Sequence, residues 1–168
     1  MIDVLKMNRP SFDEYFINIA YAVSARSEDE FIKHGCVIVH DHSKHIIGTG
    51  YNALIRGMAE ETVDRHDRDG RRKYMIHSEE NAILNSTKHP LEIGSCTAYI
   101  TALPCNNCLQ RIINFGIYRI VYHMDDSCIG INDEEQVLVR NKLLSCTKYG
   151  QVKLERIPFF KKIVFIDD

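Results

Sequence analysis

The 168-residue sequence lacks any long apolar run, any marked excess of one charge and any repeat or low-complexity tract. Residues 1–6 contain no apolar stretch of the kind found in signal peptides, and no later segment is long enough to span a membrane. The 21 basic and 23 acidic side chains give a net charge of −2, so there is no global basic field to hold DNA or RNA. We therefore expect a cytoplasmic protein with one domain over residues 1–168 that contacts neither membranes nor nucleic-acid polymers.

The six cysteines stand at positions 36, 96, 105, 108, 128 and 146. Three disulfides would be arithmetically possible, but cytoplasmic proteins keep their thiols reduced, so we expect none. Cys105 and Cys108 form a C-x-x-C pair. Most of the other four cysteines are predicted to pack as small buried side chains.

Residues 77–79, with the sequence His-Ser-Glu, and residues 104–108, with the sequence Pro-Cys-Asn-Asn-Cys, offer three metal ligands and one spare carboxylate. A catalytic zinc ion takes three protein ligands and leaves its fourth tetrahedral position to water, and His77, Cys105 and Cys108 supply the three. At the first turn of a helix the two sulfur atoms lie on one face, where the helix N-terminus favours thiolates. Zinc lowers the pKa of bound water to roughly 7. Glu79 is near enough in sequence to carry that water's protons without being a ligand.

Each part of this pattern has a second interpretation. A C-x-x-C pair between a strand and a helix is also typical of a thioredoxin-like redox pair. It is equally half of a structural zinc site, although the chain has no second C-x-x-C to complete four cysteines. His40, His42 and His45 offer another chelating group across a turn, for which a solvated hairpin tip is the preferred interpretation.

Hydrophobic periodicity predicts helices alternating with strands. Helices are predicted at residues 12–27 (with Ser11 and Glu14 as a capping box), 78–88, 105–115 (ended by Gly116) and 132–145, and strands at residues 36–40, 46–51, 96–101, 118–122 and 152–156. The charged stretch 60–76 has little apolar periodicity and is predicted to be a long, functional surface loop. The alternation indicates a layered α/β domain with the metal ligands where strands give way to helices.

From about residue 11 to residue 158 the sequence resembles the cytidine-deaminase superfamily, and within it the deoxycytidylate (dCMP) deaminases. The motifs that carry the resemblance are Gly-Tyr-Asn at 50–52, His-Ser-Glu-Glu-Asn-Ala-Ile at 77–83, Pro-Cys-Asn-Asn-Cys at 104–108 and Ile-Ile-Asn-Phe-Gly-Ile at 112–117. The second and third together match the signature of zinc-dependent nucleobase deaminases. The resemblance implies a three-layer α/β/α fold around a mixed five-stranded sheet. It also implies hydrolytic deamination of dCMP to dUMP with release of ammonia, in supply of thymidylate synthesis.

The resemblance implies roles for individual residues. Glu79 is the catalytic proton carrier, and Ser78 stands beside the substrate where the family usually has alanine. Asn52 would hydrogen-bond the sugar, since a carboxamide offers both a donor and an acceptor; otherwise it merely ends a strand. Arg26 would bind the 5′-phosphate, because its fork matches phosphate oxygens; otherwise it is an ordinary surface arginine.

Many dCMP deaminases are homohexamers activated by dCTP and inhibited by dTTP, with Mg²⁺ on the triphosphate. The resemblance therefore implies a homo-oligomer with an effector site at Gly50, Tyr51 and Asn52. Offsetting the charge of a triphosphate requires cations, for which the 60–76 stretch offers Arg65, Arg68, Arg71, Arg72 and Lys73. After Asn52 the chain departs from the family, with Ala53 and Leu54 in place of a glycine and a nearby proline.

Two alternatives to dCMP deamination remain from the sequence. One is a deaminase of another free cytosine or guanine base, nucleoside or nucleotide. The other is a non-catalytic, zinc-stabilised nucleotide-binding module, which would have no use for Glu79.

Overall fold

The computed structural model describes residues 9–58, 63–64, 67–125, 131–146 and 150–157. Within these ranges the strands are β1 (Gly35–His40), β2 (Ile46–Tyr51), β3 (Ala53–Leu54), β4 (Met75–Ile76), β5 (Cys96–Ala102), β6 (Arg119–Met124) and β7 (Lys153–Arg156). The helices are α1 (Phe12–Ser24), α2 (Arg68–Arg72), α3 (Ser78–Leu84), α4 (Pro90–Ile93), α5 (Asn106–Asn114) and α6 (Glu134–Leu144).

Five strands form one mixed sheet in the order β2-β1-β5-β6-β7, which confirms the predicted sheet. β1 runs antiparallel to both β2 and β5, with Cys36 opposite Gly50 and Ile100, whereas β5, β6 and β7 are parallel. Parallel neighbours need crossover connections, and α5 and α6 occupy those connections. Every residue of the central strand β5 is buried, as expected of a strand covered on both faces.

Helices cover both faces of the sheet, which confirms the three-layer α/β/α arrangement. α1 buries Phe16 and Ile17 on one face, in a cluster with residues of β1, β5 and β6. On the other face Ala82 of α3 and Leu109 and Ile112 of α5 join a second apolar cluster. Burial of this apolar surface is the main favourable contribution to the fold.

The first helix begins as predicted and ends earlier. Ser11 Oγ accepts from Glu14 N at 3.2 Å while Glu14 Oε2 accepts from Ser11 N at 2.7 Å, which confirms the capping box. The helix was predicted to reach residue 27 but ends at Ser24, whose hydroxyl donates to Tyr21 O at 2.7 Å. Ser27 instead donates its hydroxyl to Asn52 O, tying this connection to the end of β2.

The prediction of a plain loop over residues 60–76 was wrong in its second half. Asp67 accepts from Gly70 N at 2.9 Å and begins α2, and β4 then pairs with β3. α2 has five residues, too few to show a helical period, and its one buried residue is Arg71, only 2% exposed. Residues 60–62 and Arg65 lie outside the described residues.

The helix predicted at residues 78–88 was too long. It ends at Leu84, with Asn85 as its C-cap, because Thr87 leaves the helix to donate its N–H to Ile47 O of β2 at 2.8 Å. α5 begins one residue later than predicted, so Cys105 is its N-cap, and Gly116 at φ 96° follows its end. The remaining predicted elements agree with the structure to within two residues, whereas α4 and β3 were not predicted.

A polar cluster joins α1 to the far strands of the sheet. Arg119 of β6 donates to both carboxylate oxygens of Asp13, at 2.9 and 2.8 Å, and to Glu155 Oε2 at 2.7 Å. Tyr99 donates its hydroxyl to Asp13 Oδ1 at 2.8 Å. The bond from Arg119 holds the pKa of Asp13 below its ordinary value. This ion pair fixes one end of α1 on the sheet.

The described cysteines outside the C-x-x-C pair are all free thiols. Cys36 and Cys96 are buried, as predicted for packing residues, whereas Cys146 is exposed. Cys128 lies outside the described residues. None of the helices in the described ranges combines the length and apolar character needed to cross a bilayer.

Candidate active site

Three potential metal ligands meet where two helices begin. His77 is the N-cap of α3, Cys105 is the N-cap of α5, and Cys108 lies in the first turn of α5. His77 Nδ1 is 3.6 Å from Cys105 Sγ and 3.4 Å from Cys108 Sγ. The three ligand atoms lie within 4.8 Å of one another, and no other such group occurs in the described part of the chain.

These separations fit a tetrahedral zinc ion. Zn–N and Zn–S bonds of about 2.0–2.1 Å and 2.3 Å, at a tetrahedral angle, place the two ligand atoms about 3.6 Å apart. One nitrogen and two sulfur donors form the soft ligand set that zinc accepts, and three ligands leave a position open. Both thiols point at His77, an arrangement that a redox pair does not need.

The electrostatics of the group also suit a cation. A hydrogen bond from Cys108 lowers the pKa of Cys105 to about 4, and the same bond raises the pKa of Cys108. The hydrogen bond to Cys105 raises the pKa of His77. The lowered pKa of Cys105 favours its thiolate, which is the form that binds zinc.

Glu79 is buried beside the ligands but is not one of them. Its side chain lies in the first turn of α3 and is 6% exposed, and its Oε2 accepts from Ser78 Oγ at 2.8 Å. Burial raises the pKa of Glu79, although the nearby charge of His77 opposes the shift. A carboxyl group whose pKa is raised towards neutrality can both take up and release a proton.

These groups line one concave, partly open cavity, the kind of surface that small-molecule ligands occupy. His77, Glu79 and Cys105 line it together with the apolar side chains of Ile100 and Leu103. The remaining wall consists of Asp29, Phe31, Ile32, His34, Asn52, Arg68, Arg72, Met75, Ser78 and Ala102. The cavity therefore combines the candidate metal ligands, a buried carboxyl and charged residues from α2.

The family model for the cytidine and deoxycytidylate deaminase zinc-binding region matches residues 10–124, which include every one of these groups. The chain belongs to this deaminase family. The deoxycytidylate deaminase of Pongo abelii is 32% identical over 117 residues, covering 67% of this chain and 64% of that relative. The alignment thus spans just under two thirds of that relative's length. The deoxycytidylate deaminase of Mycobacterium phage D29 is 37% identical over 128 residues, 69% of this chain and 97% of the phage protein.

A solved structure shares the fold. The crystal structure of dCMP deaminase from the cyanophage S-TIM5, in complex with dCMP and dUMP, superimposes with a TM-score of 0.65 at 20% identity. The match covers 90% of this chain and 100% of the phage chain. At that identity the similarity establishes the deaminase fold alone.

Among the predicted substrate residues, Asn52 lines the candidate active-site cavity and Arg26 does not. Asn52 Oδ1 accepts from His34 N at 2.7 Å and Nδ2 donates to Ile32 O at 2.8 Å, so the side chain braces the segment before β1. Each of its polar groups retains capacity for one more partner. Arg26 lines a separate cavity with Tyr51, Arg56 and Asn81.

The Gly-Tyr-Asn motif is divided between two environments. Gly50 is buried against α3, where an added Cβ would lie 2.2 Å from Ala82 N. Tyr51 lines the second cavity, and its carbonyl accepts from Asn81 Nδ2 at 2.8 Å. An effector role for these residues stays a prediction, whereas the packing of Gly50 has its own structural reason.

The sequence did not point to several residues that line the candidate active-site cavity, Phe31, His34 and Arg72 among them. Phe31 and His34 stand in a connection without periodicity and gave no signal. Arg72 was counted only as one of several cations, although it stands four residues after Arg68, the spacing that places two side chains on one helix face. At the predicted hairpin tip, His40 Nδ1 and Ser43 Oγ lie 2.6 Å apart, as expected of a turn.

Proposed function

We propose that this chain catalyses the zinc-dependent hydrolytic deamination of dCMP to dUMP and ammonia, and that the dUMP supplies thymidylate synthesis. The observation that carries the proposal is the meeting of three potential zinc ligands with a buried carboxyl that is not a ligand, beside a cavity that His77, Glu79 and Cys105 line. A structural zinc site would have no use for Glu79 or for an adjoining cavity. Both relatives are known as deoxycytidylate deaminases, which supports dCMP as the substrate.

His77, Cys105 and Cys108 would hold the metal. When bound, zinc supplies a Lewis acid that brings the pKa of a coordinated water molecule to roughly 7. Glu79 takes up a proton from the attacking water and delivers it to the ring nitrogen beside the reacting carbon. It then takes the remaining proton from the hydroxyl that has added to the ring carbon and passes it to the amino group, so that the carbonyl forms as the carbon–nitrogen bond breaks and ammonia leaves.

The surroundings of Glu79 suit this proton transfer. Ser78 Oγ donates to one carboxylate oxygen at 2.8 Å and so fixes the orientation of the carboxyl group. Burial raises the pKa of Glu79, so its protonated form is easier to reach than that of an exposed glutamate. Apolar side chains of β5 and the residue after it, Ile100 and Leu103, exclude bulk water from one wall of the cavity.

The first experiment measures ammonia release from dCMP, CMP, deoxycytidine, cytidine, guanine and dCTP with purified protein. We expect the highest kcat/KM with dCMP. A higher kcat/KM with another free base, nucleoside or nucleotide would support the deaminase mechanism but contradict dCMP as the substrate. If the zinc-loaded protein releases ammonia from none of these compounds, the proposed enzymatic activity is contradicted. The non-catalytic nucleotide-binding module would then be the better hypothesis.

Glu79→Gln tests the proton carrier, with Glu80→Gln as the matched control. Glu80 is the next residue of α3 and forms an ion pair with Arg111 at 3.4 Å. We expect Glu79→Gln to lower kcat by roughly 10²–10⁴-fold with zinc content and melting temperature retained, because the amide cannot shuttle a proton. Glu80→Gln should keep its activity. Normal turnover in Glu79→Gln would place the proton transfers elsewhere.

The second cavity supports a finer proposal, that dCTP raises and dTTP lowers the apparent affinity for dCMP in a homo-oligomer, each bound with Mg²⁺. Arg26 and Arg56 line this cavity and offer two cations to a triphosphate. The hydrogen bond from Asn81 to Tyr51 O links the cavity wall to α3, the helix that carries Glu79. An effector acts only by preferring one conformation, and α3 is the shared element.

Initial rates against dCMP concentration, with and without each triphosphate plus magnesium, test the regulation. The expected curves are sigmoidal without effectors and shift in opposite directions with dCTP and dTTP. Arg26→Gln should reduce both shifts and leave the unregulated kcat intact. Superimposable curves would contradict the regulation, and a monomer in analytical ultracentrifugation would contradict the oligomer.

A further inference from the structure

Two arginines of α2 extend towards the candidate active site. Arg68 and Arg72 are four residues apart, so they occupy the same face of the helix, and both line the cavity that contains His77 and Glu79. Neither forms an ion pair with a carboxylate among the residues that the structure describes. Two cations that have no anionic partner in the described ranges thus border the cavity that His77, Glu79 and Cys105 also line.

Several contacts anchor the short helix that presents them. Asp67 caps its first turn, and the buried Arg71 donates from Nη2 to Glu28 O at 3.3 Å in the connection before β1. The Arg68 guanidinium lies over the ring of Phe31, 5.9 Å from its centroid, and Phe31 also lines the cavity. α2 and the segment before β1 therefore face each other across the cavity.

We infer that Arg68 and Arg72 bind the 5′-phosphate of the substrate, so that the site selects a nucleoside monophosphate over the corresponding nucleoside. The inference rests on the proposed deaminase function. A base placed against His77 and Glu79 leaves the phosphate to extend away from the ligands, and α2 carries the cations that line this cavity. Arginine suits the task because its planar fork binds phosphate oxygens at two points.

Besides Glu79, the lining contains one carboxylate, Asp29, whose single negative charge is outnumbered by the two positive charges of Arg68 and Arg72. Asp29 Oδ1 accepts from Phe31 N at 2.8 Å and from Ile32 N at 3.0 Å, so it is engaged with its own backbone turn. Arg26, which the sequence favoured as the phosphate ligand, lines the second cavity. We therefore assign the 5′-phosphate contacts to Arg68 and Arg72 of α2.

The test compares dCMP with deoxycytidine in Arg68→Gln/Arg72→Gln, using Lys73→Gln as the matched control. Lys73 is the exposed C-cap residue of α2 and does not line the cavity. We expect kcat/KM for dCMP to fall roughly 10²-fold or more, mainly through KM, because two charge-assisted contacts are lost. The value for deoxycytidine and the melting temperature should not change. Calorimetry should show the same loss of affinity for dUMP and none for deoxyuridine.

The other possible results contradict either the phosphate inference or the proposed function. Equal losses with dCMP and deoxycytidine would make the arginines structural, and unchanged kinetics would remove them from the site. If kcat/KM for dCMP, and not for deoxycytidine, falls in Arg26→Gln alone, then Arg26 binds the phosphate. A wild type that deaminates deoxycytidine as well as dCMP would overturn the phosphate inference and leave the deaminase standing. A zinc-loaded wild type inactive on every cytosine substrate would overturn the proposed function itself.

Discussion

Replacing Gly50 by alanine should force β2 and α3 apart. An alanine Cβ at this position would lie 2.2 Å from Ala82 N, 2.3 Å from Ser78 O and 2.7 Å from the carbonyl carbon of Asn81. All three are backbone atoms of α3, so no side chain can rotate out of the way. Raising the shortest distance from 2.2 Å to at least 3.0 Å requires a displacement of about 0.8 Å in the helix that carries Glu79.

The size of the effect follows from that displacement. Overpacking of this kind costs about 1–3 kcal/mol of unfolding free energy, and each kcal/mol lowers the melting temperature by about 2–4 °C for a chain of this size. A displacement near 1 Å at a catalytic group lowers the rate by about 10²-fold. We therefore expect Gly50→Ala to lower both the melting temperature and kcat/KM for dCMP, the latter by roughly 10–10²-fold.

Gly57→Ala is the matched control, because there the backbone and not the space opposes a side chain. Gly57 has φ 88° and no atom within 4 Å of an added Cβ, whereas Gly50 is not among the residues with positive φ. Gly57→Ala should cost about 1–2 kcal/mol from its left-handed conformation and leave kcat/KM unchanged. Melting curves by circular dichroism and initial rates check both variants. Wild-type melting and activity in Gly50→Ala would refute the argument that this contact sets the position of α3.

Three further outcomes are expected. Cys108→Ser should retain far less than one zinc per chain by elemental analysis, whereas Cys146→Ser, at an exposed cysteine, should keep its zinc; equal metal contents would contradict the ligand assignment. Asp13→Asn should lower the free energy of unfolding at pH 7 by about 1 kcal/mol and so lower the melting temperature. The effect is small because the Asp13 side chain is 35% exposed and solvent screens the ion pair. Because Arg119 lowers the folded-state pKa of Asp13, this stabilisation is complete above the unfolded value of about 4 and is lost as the pH falls through the folded value. A melting gap that persists in strong acid would contradict it. Iodoacetamide should label Cys146 in the folded protein and Cys36 only after unfolding, because burial raises the pKa of Cys36 well above its ordinary value; rapid labelling of Cys36 would show that the strand opens.

Local patterns predicted most of the fold because the physics behind them is local. The capping box at Ser11 and Glu14 satisfies the free N–H groups of a helix start and needs no other part of the chain. β5 was predicted from its run of apolar and β-branched residues, since a strand buried on both faces has no charged positions. Helix ends were less predictable, because Thr87 leaves its helix for a contact with Ile47, a residue 40 positions earlier.

The stretch around α2 shows why other elements were missed. A five-residue helix has no measurable period, and its buried residue is an arginine, which a hydrophobic pattern cannot register. The two-residue strands β3 and β4 exist only because they pair with each other across 20 intervening residues. Each of these elements is stabilised by partners distant in the chain.

The sequence by itself determined the ligand set and the carboxyl, because His77 and Glu79, and Cys105 and Cys108, are placed by spacing within single helix turns. It also determined the family. Only the tertiary structure decided which cations face which cavity: α2 brings Arg68 and Arg72 to the candidate active site, and Arg26 lines the other cavity. Charge composition is the same for either arrangement, whereas the direction of a side chain depends on how its helix packs against distant strands.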